Sequence, residues 1–153
     1  MLDLYEELRA ICLALDQAGI AYAIVGGIAV SLYTAPRATK DIDIFISPAD
    51  LSALAAGLKP LGFALLAAPM TFAGGRIAIH RFTKLARADF LSLDVLTARD
   101  PILEQQVLGA RQQVSNQLQS IWLAPVEGLI ELKKLRGSPQ DLVDIAALGK
   151  ERA

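Results

Sequence analysis

Cysteine and histidine are nearly absent from this chain: it has one of each, Cys12 and His80. A single cysteine cannot close an intrachain disulfide, and one Cys with one His cannot build a Cys/His zinc site. No uncharged apolar run approaches the roughly 20 residues that a membrane-spanning helix requires. The opening MLDLYEELRA carries acids early and does not read as a signal peptide, so a reducing cytoplasm is the expected location. Neither charge dominates: 15 Lys and Arg stand against 16 Asp and Glu, a net charge of −1. No global cationic field is available to collect nucleic acid, and any such contact would need a local basic patch.

Apolar side chains are abundant instead. They make up 54% of the 153 residues, which argues against disorder and suffices for one core without staples. Residues 1–153 read as a single domain, with no internal repeat and no linker, and with helices from about 125 onward. Leu4, Leu8, Ile11 and Leu15 recur at helical spacing, so residues 3–18 form an amphipathic helix that stops at Gly19. Cys12 falls on its apolar side and packs as a small hydrophobe. Ala21 to Val25 is a buried strand, Gly26-Gly27 breaks it, and residues 28–34 are a short helix. Asp41 to Ile46 alternates acid with aliphatic in a strand pattern. Ser47-Pro48-Ala49-Asp50 is a capped helix start, the helix running to about Leu58. Gly62 to Leu66 is a further strand, Ala67 to Gly75 a loop, and Arg76 to Phe82 pairs with Asp89 to Leu96. Asp100-Pro101 opens a helix, and Ser120 to Leu123 reads as an edge strand. Pro125 opens a helix to about Leu135, and Ser138-Pro139 a last one with Leu142, Ile145 and Leu148 on its apolar face. Tyr22 and Trp122 lie in apolar strands and belong to the core. This order predicts an α/β (α+β) domain with a small mixed β-sheet flanked by helices.

The chemistry is concentrated in Asp41-Ile42-Asp43-Ile44. Residues two apart on a strand point to one face, so Asp41 and Asp43 project together while Ile42, Ile44 and Ile46 face the core. Two carboxylates so close repel unless a cation sits between them, and Mg²⁺ suits such hard oxygen ligands together with substrate phosphates. An acid pair alone matches many exposed strands by chance. Here Val25-Gly26-Gly27 precedes it, at a strand-to-helix turn where backbone amides can approach an anion and the helix N-terminus adds its dipole. The glycines would hold phosphates while the acids hold the metal that bridges them. Asp94 is the candidate third acid. In Leu91 to Leu96 it shares a strand face with Ser92, opposite Leu91, Leu93 and Val95, and an acid in an apolar strand is costly unless paired or metal-bound. Asp89 is its rival.

A strand ending in Gly-Gly, a short helix, then Asp-hydrophobic-Asp-hydrophobic resembles the nucleotidyltransferase superfamily that includes DNA polymerase beta. VGGIAVSLYTAPRATKDIDIFI looks like its small bacterial branches, the AbiEii-like toxin and minimal nucleotidyltransferases, with aminoglycoside adenylyltransferases more distant. The resemblance implies that Asp41, Asp43 and Asp94 bind two Mg²⁺ (or Mn²⁺) ions, with an NTP as substrate and NMP passing to an acceptor hydroxyl on a protein, a tRNA or a small molecule. It further implies a toxin of a toxin–antitoxin pair or a modifying enzyme. The alternative is a catalytically weak nucleotide-binding or partner-subunit module.

Gly-Ser is common at the family's turn, so with Gly-Gly here the backbone amides or Ser31 must substitute for that hydroxyl. The segment from Leu129 through Lys133 to Asp141-Leu142-Val143-Asp144-Ile145 also looks like the family's C-terminal helices. Carried over, Lys133 approaches the nucleotide phosphates, with Lys134 as rival, and Asp141 and Asp144 are structural or orient the lysine. Asp141 also falls where a capping acid belongs after Ser138-Pro139. Arg37, ahead of Thr39 and Lys40, could neutralise a phosphate. Arg76, His80, Arg81, Lys84 and Arg87 form a basic cluster that reads first as a solvated hairpin and otherwise as a contact for an RNA acceptor or a triphosphate, and His80 takes no catalytic role.

Overall fold

A computed structural model describes residues 2–36, 38–115 and 120–152. Helix α1 (Leu4–Gln17) starts at Asp3, whose side chain accepts from the Tyr5 and Glu6 amides. Its buried residues Leu8, Ile11, Cys12 and Leu15 repeat at helical spacing, and the expected helix is found. The chain then runs through β1 (Tyr22–Val25), α2 (Gly26–Tyr33), β2 (Ile42–Ile46) and α3 (Leu51–Leu58). It continues with β3 (Phe63–Leu65), β4 (Met70–Phe72), β5 (Ile77–Ala86), β6 (Asp89–Ala98), the short α4 (Pro101–Glu104), β7 (Gln112–Ser115), β8 (Ser120–Leu123), α5 (Val126–Arg136) and α6 (Pro139–Arg152).

The eight strands of the described residues join one mixed sheet in the order β3-β5-β6-β2-β1-β8-β7, with β4 also on β5. It exceeds the small sheet that the sequence suggests, because short strands extend both edges. One of them, β4, lies inside the segment read as a loop, its Met70 and Thr71 exposed and paired only to β5. The expected edge strand, β8, is interior. It runs parallel to β1 on one side and antiparallel to β7 on the other, and β7 takes the edge. Polar, exposed Gln112 and Gln113 hid that strand, since an edge strand need not alternate apolar with polar. Ser47 makes no side-chain cap; the Pro48–Asp50 turn that follows is closed by the Asp50 amide on the Ser47 carbonyl.

The two central strands are covered on both faces. In β2, Ile42, Ile44, Phe45 and Ile46 are all fully buried, and Asp43 alone interrupts the run. On one face lies α1, tied to β5 by a Glu7–Lys84 ion pair at 2.8 Å. Burial pushes the Cys12 thiol up to about 11, so it is inert core. Tyr22 is fully buried too, and half-buried Trp122 stacks under the Arg111 guanidinium, 4.5 Å from the ring centre.

Helices α5 and α6 pack together, and of the apolar stripe expected on α6 Leu148 is buried and Ile145 half-buried against the core. Leu142 and Val143 point outward, 61% and 63% exposed, whereas Asp141 and Asp144 are fully or almost fully buried with Leu148. The helix is turned so that its acids meet the basic side chains of α5, because a buried cation such as Lys133 cannot remain without a counter-charge.

Candidate active site

Three registers assemble the acids. Val25 at the end of β1 pairs with Asp43 of β2. Asp43 lies beside Asp94 of the parallel strand β6. Asp94 in turn faces Arg81 across the β5–β6 hairpin. Paired residues project to the same face of a sheet, so Asp43, Asp94 and Arg81 stand in a row. A pocket opens over Asp43 and Asp94, between this face and helices α5 and α6, and Arg81 is not part of its lining. The pocket is lined by Gly26, Gly27, Asp43, Asp94, Lys133 and Arg136, with Phe72, Ile79 and Leu96 as an apolar wall.

Gly26 is where conformation and chemistry meet. Its φ is +71°, a region disfavoured for side chains with a Cβ, and a Cβ there would fall on the Asp43 carboxylate. The strand therefore turns into α2 hard against the acid. Among the described residues no side chain caps the start of α2, whose N-cap is Val25, and its leading amides can face an anion at the pocket. Gly27 lines the same pocket. Ser31 does not line it; its hydroxyl donates back to the Gly27 carbonyl at 2.9 Å.

Asp43 is electrostatically strained. Burial first, then the charges of Asp94 and Asp41, push its carboxyl up to about 7, against the opposing pull of Arg136 and Lys133. Asp41 sits just before β2, exposed and outside the pocket lining, close enough to act on Asp43 through its charge. Asp94 is held by a two-pronged ion pair, Arg81 Nε to Oδ1 at 2.7 Å and Nη2 to Oδ2 at 2.9 Å. Among the described residues no three His, Cys, Asp or Glu side chains are gathered as a ready metal cage. Asp43 and Asp94 form the inner pair, and Asp41 stands at its rim.

The opposite wall is an ion network. Lys133, almost fully buried, reaches Asp144 at 2.9 Å and Asp141 at 3.4 Å. Arg136 clasps both oxygens of Asp141 at 2.7 Å. Asp141 also accepts from the Ser138 amide and hydroxyl while its own amide donates to that hydroxyl, a reciprocal cap at the start of α6. Burial alone would raise the Asp141 carboxyl, but Arg136 and Ser138 hold it well below the usual carboxylate range. Of the two candidate lysines, Lys133 lines the pocket, and Lys134 points outward to Glu131.

Arg37 lies outside the described residues. Asp89 receives the Leu2 and Phe90 amides away from the pocket. Arg76, Arg81 and Arg87 are exposed, as a solvated hairpin would have them, but Arg76 pairs with Asp100, Arg81 with Asp94 and Lys84 with Glu7. His80 is bonded to Thr97, and burial lowers its pKa. Two residues of the site were missed in the sequence. Arg81 was grouped with the hairpin bases, although one-for-one pairing from the tight turn at Arg87-Ala88 puts it opposite Asp94. Arg136, at the end of α5, had no signal beyond its charge.

No protein-family model and no curated protein matches the sequence. Solved structures do. ANT(2″)-Ia, seen with adenylyl-2″-tobramycin, superposes with a TM-score of 0.64 at 15% identity, covering 95% of this chain and 87% of that one. A Thermotoga maritima protein assigned as a nucleotidyltransferase gives 0.61 at 14% identity, with 91% and 89% covered. The lincosamide antibiotic adenylyltransferase LnuA, bound to lincomycin, gives 0.59 at 15% identity, with 94% and 95% covered. The chain thus has the nucleotidyltransferase fold.

Proposed function

We propose that this chain is a divalent-metal-dependent nucleotidyltransferase, moving NMP from an NTP to an acceptor hydroxyl. The observation that carries the reading is the in-register pair Asp43–Asp94 in one pocket with the uncapped, glycine-led start of α2. The donor set fits Mg²⁺ or Mn²⁺: hard carboxylate oxygens, one of them raised to about 7 by burial and then by the charges of Asp94 and Asp41. Asp43 and Asp94 would hold the metal, with Asp41 at the rim. When bound, divalent metal supplies charge neutralisation and Lewis acidity for phosphoryl chemistry.

The chain's own groups do the rest. The leading amides of α2, at Gly26 and Gly27, face the phosphates, and Lys133 and Arg136 add positive charge on the opposite wall. The acceptor oxygen bonds to the α-phosphorus, the bond to the bridging oxygen of pyrophosphate breaks, and a pocket carboxylate takes the hydroxyl proton. Holding both reactants in line is the main service that such a site provides.

Two of the structural neighbours are named for antibiotics, and on that likeness a small hydroxylated molecule is the acceptor proposed first. Protein or tRNA acceptors, and a toxin's role beside an antitoxin, rest on the sequence resemblance alone. An NTP donor accords with a cytoplasmic setting, and no helix of the described residues is long and apolar enough to cross a membrane. The test is calorimetry with α,β-methylene-ATP. Binding is expected with Mg²⁺, weakened at least tenfold in Asp43→Asn, a loss of about 1.4 kcal/mol. Equal binding by the two proteins in Mg²⁺ would overturn the assignment.

A further inference from the structure

Arg81 is an unexpected occupant of the acidic row. Its fork takes both oxygens of Asp94, the arrangement a guanidinium makes and an ammonium cannot. Its strand register puts it in the row of Asp94 and Asp43, and its charge also acts on Asp41 and Asp43. Lys133 and Arg136 are engaged by Asp141 and Asp144 on the other wall. The two partners of the fork are unequally placed: the Asp94 side chain is 10% exposed and that of Arg81 47%. Asp94 cannot exchange its partner for water easily, whereas the guanidinium can swing into solvent at little cost.

We propose that Arg81 is the counter-ion of Asp94 in the metal-free protein, exchanged for the divalent cation on loading, and that the freed guanidinium then binds phosphate oxygens of the NTP. The proposal rests on the metal-site reading above. Cation and guanidinium compete for the same two oxygens, and their like charges oppose joint occupancy beside Asp43. Once displaced, Arg81 remains on the sheet face that carries Asp43 and Asp94, next in register to the Asp94 that lines the pocket. Metal and nucleotide then favour each other through one side chain, and by linkage each raises the affinity for the other equally.

Mn²⁺, followed by the electron paramagnetic resonance of the free ion, is the probe. The full chain is titrated as wild type, Arg81→Lys and Arg81→Met, without nucleotide and with α,β-methylene-ATP, each variant being checked for folding by circular dichroism. Without nucleotide, Arg81→Met should bind Mn²⁺ about tenfold more tightly than wild type, a coupling of ordinary size. Arg81→Lys should bind it severalfold more tightly, since lysine keeps the charge and loses the fork. With the nucleotide, the gain in Mn²⁺ affinity should be largest in wild type. Wild-type-like or weaker Mn²⁺ binding by Arg81→Lys overturns the exchange, because then charge alone or support of Asp94 explains Arg81. If no variant takes up Mn²⁺ in either condition, the metal-site reading itself falls and this proposal with it.

Discussion

Replacing Asp43 with Asn should stabilise the metal-free protein at high pH and leave it unchanged at low pH. The Asp43 carboxyl is raised from 3.8 to about 7, by burial and then by Asp94 and Asp41. The folded state therefore keeps its proton over a range in which the unfolded chain has lost it. Stability from this group is fully present below pH 3.8 and is lost as pH rises through about 7. A shift of this size corresponds to at most about 4 kcal/mol at about 1.4 kcal/mol per unit, and relaxation brings it to the order of 2–4 kcal/mol. Asparagine carries no charge at any pH, so the variant escapes the loss. Urea denaturation of both proteins in EDTA at pH 4 and pH 8 measures it, and the variant-minus-wild-type difference cancels other titrating groups. The expected difference is near zero at pH 4 and on the order of 2–4 kcal/mol in favour of Asn at pH 8. A variant less stable than wild type at pH 8, or a difference independent of pH, would refute the electrostatic account of the site.

Four further outcomes follow from the same geometry. Asp94→Asn removes the larger of the two charges that raise Asp43, so the Asp43 carboxyl should titrate lower by NMR. Gly26→Ala combines a positive φ, about 1–2 kcal/mol, with a collision against the Asp43 carboxylate; a drop in Tm is expected, and an unchanged Tm would show the turn to be free. Lys133→Met deprives Asp144 of a buried ion pair, a change that costs about 3–5 kcal/mol when no partner remains. Gln140 and the Arg136 and Ser138 contacts of Asp141 should keep this loss in denaturant melts toward the lower end. Mg²⁺ at pH 8 should raise the Tm of wild type and not that of Asp43→Asn.

How much of this was legible depends on where each residue's partners lie. The stretch from Tyr22 to Ile46 was readable because its signals are local: a four-residue apolar strand, a glycine that must adopt positive φ, and a period-2 run broken by acid. The hairpin from Ile77 to Ala98 was seen but shortened, its ends resting on pairing rather than on apolar alternation. The facing of α6 was legible in part: Ile145 and Leu148 pack on the core, and Asp141 and Asp144 meet Lys133 as the resemblance implied, but Leu142 turns outward because partners distant in sequence decide which face is buried. Strand β7 and the interior position of β8 escaped for the same reason, since partners distant in sequence decide what an edge is. Arg81 falls between these cases: hairpin pairing fixes its neighbour, and that neighbour gives an ordinary strand arginine its chemistry.

Transfer of the α-phosphate tests the central claim most directly. Each of the four NTPs, labelled at the α-phosphorus, is incubated with the protein and Mg²⁺ in a heat-treated cell extract, which is then separated into small-molecule, RNA and protein fractions. The account predicts that α-label, and not γ-label, appears in one fraction with matching release of pyrophosphate, and that the signal disappears in Asp43→Asn and with EDTA. No α-label in any fraction from folded wild-type protein, or label transfer retained by Asp43→Asn, would contradict it.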